Sequence, residues 1–297
     1  DMYAIMDITG QVGSAAAKYL LERGQRVRGV VRGKDKAAAR TVRGVDLVVA
    51  DTADGLAASF AGAEGVFAAL PASLAPGSDF AESRALIDAL AIALRKAAPP
   101  KVVALSSIGA QHTRELGELT PLHLLEQALD ALPLPRAHVR AAWFMENLSR
   151  HVVPAQLEGR LESFLSPLDR AIPMVSTDDV GRTVASTLEE TWFGRRLIEV
   201  EGPRRYSPLD MAQSFAAVLE HDIETTAIPR DQWATRFANE GMPADRISGH
   251  VAMLDGFNSG WIAFEKRATE HVCGRIPLGY VADELVCATL DVLESAA

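Results

Sequence analysis

Cysteine is nearly absent from the 297-residue sequence, and long apolar runs are missing altogether. The two cysteines, Cys273 and Cys287, lack CxxC or metal-ligand spacing, so we expect buried, reduced thiols and no metal site. No apolar stretch approaches the roughly 20 residues that cross a bilayer, and the first residues lack the basic and apolar segments of a secretory signal. We therefore expect a cytoplasmic protein without a membrane partner.

Positive charge is also scarce. Lys and Arg number 30 against 39 Asp and Glu, which gives a formal net charge of −9. Because binding to nucleic-acid phosphates depends on clustered Lys and Arg, we expect no direct nucleic-acid partner. Hydrophobic residues make up 48% of the chain and charged residues 23%, which is typical of a globular protein with a large core.

The first 145 residues alternate short, β-branched apolar runs with longer helical stretches. This rhythm is typical of βαβ units around a buried parallel sheet. Strands are predicted at residues 3–6, 27–31, 45–49, 66–70, 102–105 and 137–140, and helices at 12–23, 79–98 and 121–132. The pattern predicts an α/β fold with a Rossmann-type, doubly wound parallel sheet.

Beyond residue 150, prolines separate shorter and less regular elements. We predict a Rossmann domain over residues 1–150 and a smaller C-terminal α/β lobe over 151–297, with chain segments exchanged between them. Asp178 or Asp179 is expected to cap a helix that runs to about Glu190. Ser207, followed by Pro208, is expected to begin another that ends near residue 219.

The first predicted strand leads through a tight turn into an alanine-rich helix, which is the context of a dinucleotide-binding fingerprint. Gly10 would let backbone N–H groups approach a pyrophosphate, and Gly13 would let the helix pack closely on the sheet. The candidate cofactor-binding residues of this turn are Asp7, Thr9, Gly10, Gln11, Val12 and Gly13.

Seven segments of the sequence carry a family resemblance: residues 9–13, 30–32, 48–51, 66–71 and 105–110, followed by 143–147 and 172–175. Together they resemble the NmrA-like family of atypical short-chain dehydrogenases/reductases, including its quinone-reductase and triphenylmethane-reductase-like members. The resemblance covers the chain to about Phe264. It implies that Asp51, Leu70 and Pro71 contact the cofactor.

Asp7 departs from the family fingerprint, which usually has glycine at this position. A Cβ penalises a positive φ angle at the turn, although Asp tolerates the left-handed region better than most residues. A carboxylate close to a pyrophosphate is also repelled by it. We therefore expect weaker cofactor binding than the rest of the fingerprint suggests.

Arg32 follows the second predicted strand, where NAD-preferring sites usually carry an acid against the ribose 2′-hydroxyl. A cation at this position can instead pair with a 2′-phosphate, and Lys36 could assist from the next turn. The expected cofactor is therefore NADP(H). The alternative, that Arg32 and Lys36 are solvated surface charges, stays open.

The catalytic pair of a typical short-chain dehydrogenase, Tyr-x-x-x-Lys, is missing, and no lysine occurs between Lys101 and Lys266. His123, on the helix that would carry this pair, is a candidate proton donor one turn from Glu126. Ser106 could bind a substrate oxygen, while Phe144 and Asn147 could form a wall and a polar anchor for a flat substrate. Structural roles for His123 and Phe144 are the alternatives.

These features favour an NADP(H)-dependent oxidoreductase that passes hydride to an electron-poor small-molecule acceptor such as a quinone or dye, because that chemistry needs little acid catalysis. The alternative, which the resemblance to some NmrA-like proteins implies, is a non-catalytic NADP(H)-binding redox sensor or regulator. Either protein could form a homodimer or bind a regulatory partner. Neither an HExxH nor a GxSxG motif supports a metalloenzyme or a hydrolase.

Overall fold

The computed structural model describes residues 1–33, 43–77 and 79–295. Strands and helices alternate in the first half of the chain. In order, these elements are β1 (Met2–Met6), α1 (Gln11–Glu22), β2 (Arg26–Val31), β3 (Asp46–Val49), α2 (Ala53–Phe60), β4 (Gly65–Ala68), α3 (Ala81–Ala97), β5 (Val102–Ser107), α4 (Thr120–Asp130) and β6 (Arg136–Ala141). A 3₁₀ turn, Gly117–Leu119, precedes α4.

The second half contains shorter strands and more helices. In order, these are β7 (Trp143–Phe144), α5 (Val152–Glu158), β8 (Arg160–Ser163), β9 (Met174–Val175), α6 (Thr177–Glu189), β10 (Arg195–Glu201), α7 (Pro208–Leu219), β11 (Glu224–Ala227), α8 (Trp233–Asn239), α9 (Ala244–Ser259), β12 (Glu270–Cys273) and α10 (Leu278–Ser295). Two further 3₁₀ turns cover Met145–His151 and Arg230–Gln232.

Eight strands form one parallel sheet in the order β12-β10-β6-β5-β4-β1-β2-β3. Along β1, Tyr3 and Ile5 pack into one apolar core while Ala4 and Met6 pack into a second, which explains the continuous apolar runs of the central strands. The chain winds outward from β1 in both directions, so the strand order reverses between β1 and β4. The prediction of a doubly wound α/β fold is confirmed.

Residues beyond 150 extend this sheet, because β10 pairs with β6 and β12 pairs with β10. The rest of that half builds a smaller α/β part around the two-stranded β8–β11 sheet, and β7 pairs with β9. Helix α6 packs against α1, where a Cβ on Gly181 would lie 2.4 Å from Cβ of Ala15. The division into domains at residue 150 stays a prediction.

The structure corrects two expectations. Ser176, rather than Asp178 or Asp179, caps α6, because its hydroxyl accepts a hydrogen bond from the Asp178 backbone. Cys273 and Cys287 are free thiols as expected, but both are exposed rather than buried.

Helix α2 was not predicted from the sequence, although the Thr52 hydroxyl caps it by accepting from the Gly55 backbone at 3.1 Å. The expected helix after Ser207 is present, with Asp210 completing a capping box. Among the described helices, none is long and apolar enough to span a bilayer.

Candidate functional site

A cleft of about 770 Å³ opens at the carboxyl ends of β1, β4, β5 and β6. The segments that follow these strands line one side of it, and residues of α9 line the other. Ligands of open α/β sheets bind at this edge, where the strand order reverses. The volume is also within the range of small-molecule sites.

The turn between β1 and α1 brings the backbone to the surface of the cleft. Gly10, Gln11 and Val12 line the cleft, and Gly10 is the N-cap of α1 with no side chain to cap it. A Cβ on Gly13 would lie 2.3 Å from the Asp7 carbonyl oxygen, so only glycine lets the helix approach the turn. The N-terminal end of α1, with its positive dipole, is thus oriented as an anion site requires.

Asp7 occupies the turn in the left-handed conformation, with a φ of 49°. A Cβ on Gly10 would lie 2.1 Å from Asp7 Oδ2, so the carboxylate lies directly against the glycine that would face a pyrophosphate. The turn therefore keeps the geometry of the fingerprint with a negative charge inside it.

We expect Asp7→Gly to tighten NADPH binding about fivefold or more, because it removes that charge, the change corresponding to about 1 kcal/mol. It should also raise the free energy of unfolding by relieving the left-handed backbone. The matched variant is Asp7→Asn, which removes only the charge. Isothermal titration of all three proteins measures the effect, and equal affinities would mean that the carboxylate points away from the phosphates.

A narrow groove adjoins the cleft on the β2 side, and Asp7 and Pro71 line both. Thr9 and Arg32 line this groove as well. Arg32 makes no hydrogen bond or ion pair with the described residues, which leaves its guanidinium available to an anion. Lys36, the other predicted phosphate ligand, lies outside the described residues.

Asp51 does not line the cleft or the groove. Its carboxylate instead accepts a hydrogen bond of 2.9 Å from the Gly33 backbone, so Asp51 anchors the residue that follows Arg32. A role in adenosine binding stays a prediction for this side chain, whereas its contact with Gly33 indicates that it helps to orient the end of β2.

Leu70 and Pro71 follow β4 and line the cleft as expected. The segment after them is tied to the opposite side, because the Arg246 guanidinium of α9 donates hydrogen bonds to the carbonyl oxygens of Ala72 and Leu74 at 2.6 and 2.9 Å. Arg246 therefore connects the two walls of the cleft.

Ser106 lies at the end of β5 and lines the cleft from below. Its hydroxyl donates a 2.5 Å hydrogen bond to Glu126, and Glu126 accepts two further bonds from Arg140 at 2.8 and 2.7 Å. Burial alone would raise the pKa of Glu126, but the hydrogen bonds and charge of Arg140 hold it below its usual value. With its proton committed to this carboxylate, Ser106 can accept a hydrogen bond from a ligand but not donate one.

His123 is not among the residues that line the cleft. Its Nδ1–H donates to the carbonyl oxygen of Ala110 at 2.7 Å, which ties α4 to the loop after β5. The structure therefore does not bring this predicted proton donor into the cleft, and a connection between two backbone segments accounts for its position.

Phe144 and Asn147 both line the cleft, as expected for a wall and a polar anchor. Beside them Trp143 meets Phe257 edge to face, with ring centroids 5.0 Å apart. Leu122, Met253 and Leu254 extend the apolar surface. The part of the cleft beyond the β1–α1 turn thus has the lining of a site for a flat, largely apolar molecule.

Two histidines that the sequence did not single out also line the cleft. His250 pairs with Glu118 through Nδ1 and Oε1 at 2.7 Å. Burial and the neighbouring Arg150 lower the pKa of His151 to about 4, so its imidazole is neutral near pH 7. No motif marks His250, because its partner Glu118 is distant in sequence. Only the helical spacing of Arg246 and His250 would put both on one face of a helix.

Comparison with known proteins gives a family assignment. The sequence profile of the NmrA-like family matches residues 2–253. The chain spans about half the length of the curated relatives that it matches.

Three solved structures share the whole fold. An NADPH-dependent quinone oxidoreductase of Escherichia coli is 18% identical, with 96% of this chain and 99% of that chain covered and a TM-score of 0.78. The triphenylmethane reductase of Citrobacter sp. is 16% identical, with 97% and 100% covered and a TM-score of 0.76. The negative transcriptional regulator Nmra, in complex with NAD, is 15% identical, with 99% and 97% covered and a TM-score of 0.74.

Proposed function

The chain belongs to the NmrA-like family, and we propose that within it the protein is an NADP(H)-dependent oxidoreductase acting on a flat, electron-poor acceptor such as a quinone or a dye. The observation that carries this proposal is the continuity of the cleft, which runs from the phosphate-binding turn at Gly10 to the apolar chamber at Phe144. A protein that only held a dinucleotide would need no chamber of this size beside it.

The residues around the turn fit the cofactor. Gly10, Gln11 and Val12 would hold the pyrophosphate, Arg32 the 2′-phosphate, and Leu70 with Pro71 the nicotinamide side. When bound, this cofactor supplies a hydride. A solved structure of the quinone oxidoreductase from Escherichia coli contains NADPH, and one of the dye reductase contains NADP(H), which supports the assignment.

The proposed class of acceptor rests on the lack of a Tyr-x-x-x-Lys pair in the sequence. No described tyrosine has a lysine four residues later, so the usual device for protonating a ketone is missing. Quinones and cationic dyes accept hydride more readily than simple ketones do. The solved relatives that act on a quinone and on a triphenylmethane dye support the same class.

NADPH oxidation with menadione and a triarylmethyl dye tests this proposal. We expect turnover by the parent protein and a KM for the acceptor raised about tenfold in Phe144→Ala, because an aromatic wall of the cleft is lost. Phe193→Ala is the matched control, since Phe193 is 84% exposed and lies outside the cleft. Tight NADPH binding without turnover of any acceptor would contradict the proposal that the protein is an oxidoreductase.

The second candidate is an NADP(H)-binding sensor or regulator. Asp7 favours it, because a carboxylate in the turn repels a pyrophosphate and so weakens the cofactor binding on which turnover would depend. The likeness to the regulator Nmra supports the same reading. A cytoplasmic location and a homodimer or a regulatory protein partner stay predictions for either function.

A further inference from the structure

A carboxylate–imidazole pair faces the cleft from the side opposite the sheet. Glu118 belongs to the 3₁₀ turn before α4, and His250 belongs to α9, 132 positions later in the chain. Their side chains are 32% and 19% exposed, so the pair is sheltered from bulk solvent and still accessible from the cleft.

Two glycines bring these elements into contact. A Cβ on Gly117 would lie 2.1 Å from the carbonyl oxygen of Gly249, and a Cβ on Gly249 would lie 3.4 Å from the Glu118 nitrogen. Gly117 also has a φ of 55°, which favours glycine. The turn and the helix therefore meet backbone to backbone, which fixes Glu118 beside His250.

The tautomer of His250 follows from this contact. Nδ1 carries the proton that is donated to Glu118, so Nε2 is the second site for a proton. Nε2 has no hydrogen-bond partner among the described residues, and the ring meets Phe237 edge to face at 4.7 Å. The carboxylate holds the ring through Nδ1, and the doubly protonated ring can release a proton from Nε2 while this contact stays in place.

The other charged or titratable side chains that line the cleft are less suited to donate a proton to a ligand there, each for a reason of its own. Arg150 pairs with Glu240, and Arg246 bonds to two backbone carbonyl groups. His151 is neutral near pH 7. Asp7 lies in the phosphate turn.

We propose that His250 is the proton donor to the bound acceptor and that Glu118 is the positioning residue that orients it. This assignment rests on the proposed function. Reduction of a quinone to a hydroquinone adds one hydride and one proton, and the hydride comes from NADPH. The Nε2–H bond of His250 breaks as an O–H bond forms on the acceptor, and solvent then returns a proton to Nε2.

Two acceptors separate this role from a structural one. A triarylmethyl cation becomes a neutral leuco dye by adding hydride alone, so its reduction needs no proton donor. We expect His250→Gln to lower kcat with menadione about 100-fold, within the usual range for a lost general acid, and to leave dye reduction unchanged. His221→Gln, at an exposed histidine outside the cleft, should change neither.

Glu118→Ala tests the positioning role without relying on turnover alone. In the neutral ring, the ¹⁵N resonances of His250 should show the proton on Nδ1 in the parent and a mixture of the two tautomers in Glu118→Ala, because the acceptor of the Nδ1–H bond is lost. The kcat with menadione should fall while its KM is unchanged. NADPH affinity should be unchanged in both variants.

The outcomes are distinguishable. Equal losses with menadione and the dye, or no loss with either, would overturn the role of His250. If the dye is not a substrate, an unchanged tautomer of His250 together with an unchanged kcat for menadione in Glu118→Ala would overturn the pair on menadione alone. If the parent reduces neither acceptor while binding NADPH, the proposed function fails and the assignment fails with it.

Discussion

Replacing Arg140 with methionine is expected to lower the free energy of unfolding by about 3–5 kcal/mol, because it leaves a buried carboxylate without its counter-charge. The side chains of Arg140 and Glu126 are 2% and 5% exposed, and two hydrogen bonds join them. Arg140 also donates to Glu265 at 2.7 Å, which links the floor of the cleft to the segment after α9. Urea denaturation of the two proteins measures the difference.

The pH dependence of this loss has a definite sign. In the parent, the pKa of Glu126 is below its usual value, so its contribution to stability is present above the unfolded pKa and is lost as the pH falls through the folded one. Without Arg140, burial raises the pKa of Glu126 instead, and protonation relieves the buried charge. The destabilisation should therefore be larger at pH 7 than near pH 4.

Two matched variants decide whether burial causes the effect. Asp255→Ala breaks the exposed pair of Arg230 and Asp255, which is also joined by two hydrogen bonds, each of 2.7 Å, and should cost about 1 kcal/mol or less. The double variant Glu126→Leu with Arg140→Met removes both buried charges and should recover much of the loss. A cost for Arg140→Met no greater than that for Asp255→Ala would contradict this account.

Local patterns predicted the part of the site that is contiguous in sequence. The turn from Asp7 to Gly13 could be recognised because a strand, a tight turn and a helix follow one another directly. Ser106 could be predicted because it ends a strand of the parallel sheet, whose strands all end at one edge, whereas Leu70 was implied by the family resemblance.

Local sequence patterns did not predict the roles of residues whose positions depend on tertiary contacts. His123 has the ordinary features of a proton donor, but its contact with Ala110 could not be foreseen from its helix. His250 and Glu118 meet only because Gly117 and Gly249 let two distant backbones touch. Asp179 looked like a helix cap, yet its carboxylate accepts from the backbone of Arg275, almost a hundred residues away.

We predict that Arg32, in the groove beside Asp7, determines the choice of cofactor. Arg32 directly follows the last residue of β2, and the bond from Gly33 to Asp51 holds the next residue in place. A guanidinium with no partner among the described residues offers two parallel N–H donors to a phosphate, a geometry that the 2′-hydroxyl of NADH cannot use.

We expect Arg32→Ala to weaken NADPH binding about 10- to 100-fold, equivalent to roughly 1.5–3 kcal/mol, and to change NADH binding less than about twofold. Arg26→Ala removes the same charge from the exposed, opposite end of β2 and should leave both affinities unchanged. Arg32→Lys keeps the charge without the paired donors and should lie between the parent and Arg32→Ala. Titration calorimetry with both cofactors gives the comparison. Equal losses for NADPH and NADH would assign Arg32 to the fold rather than to the 2′-phosphate, and no loss for either would make it a surface charge.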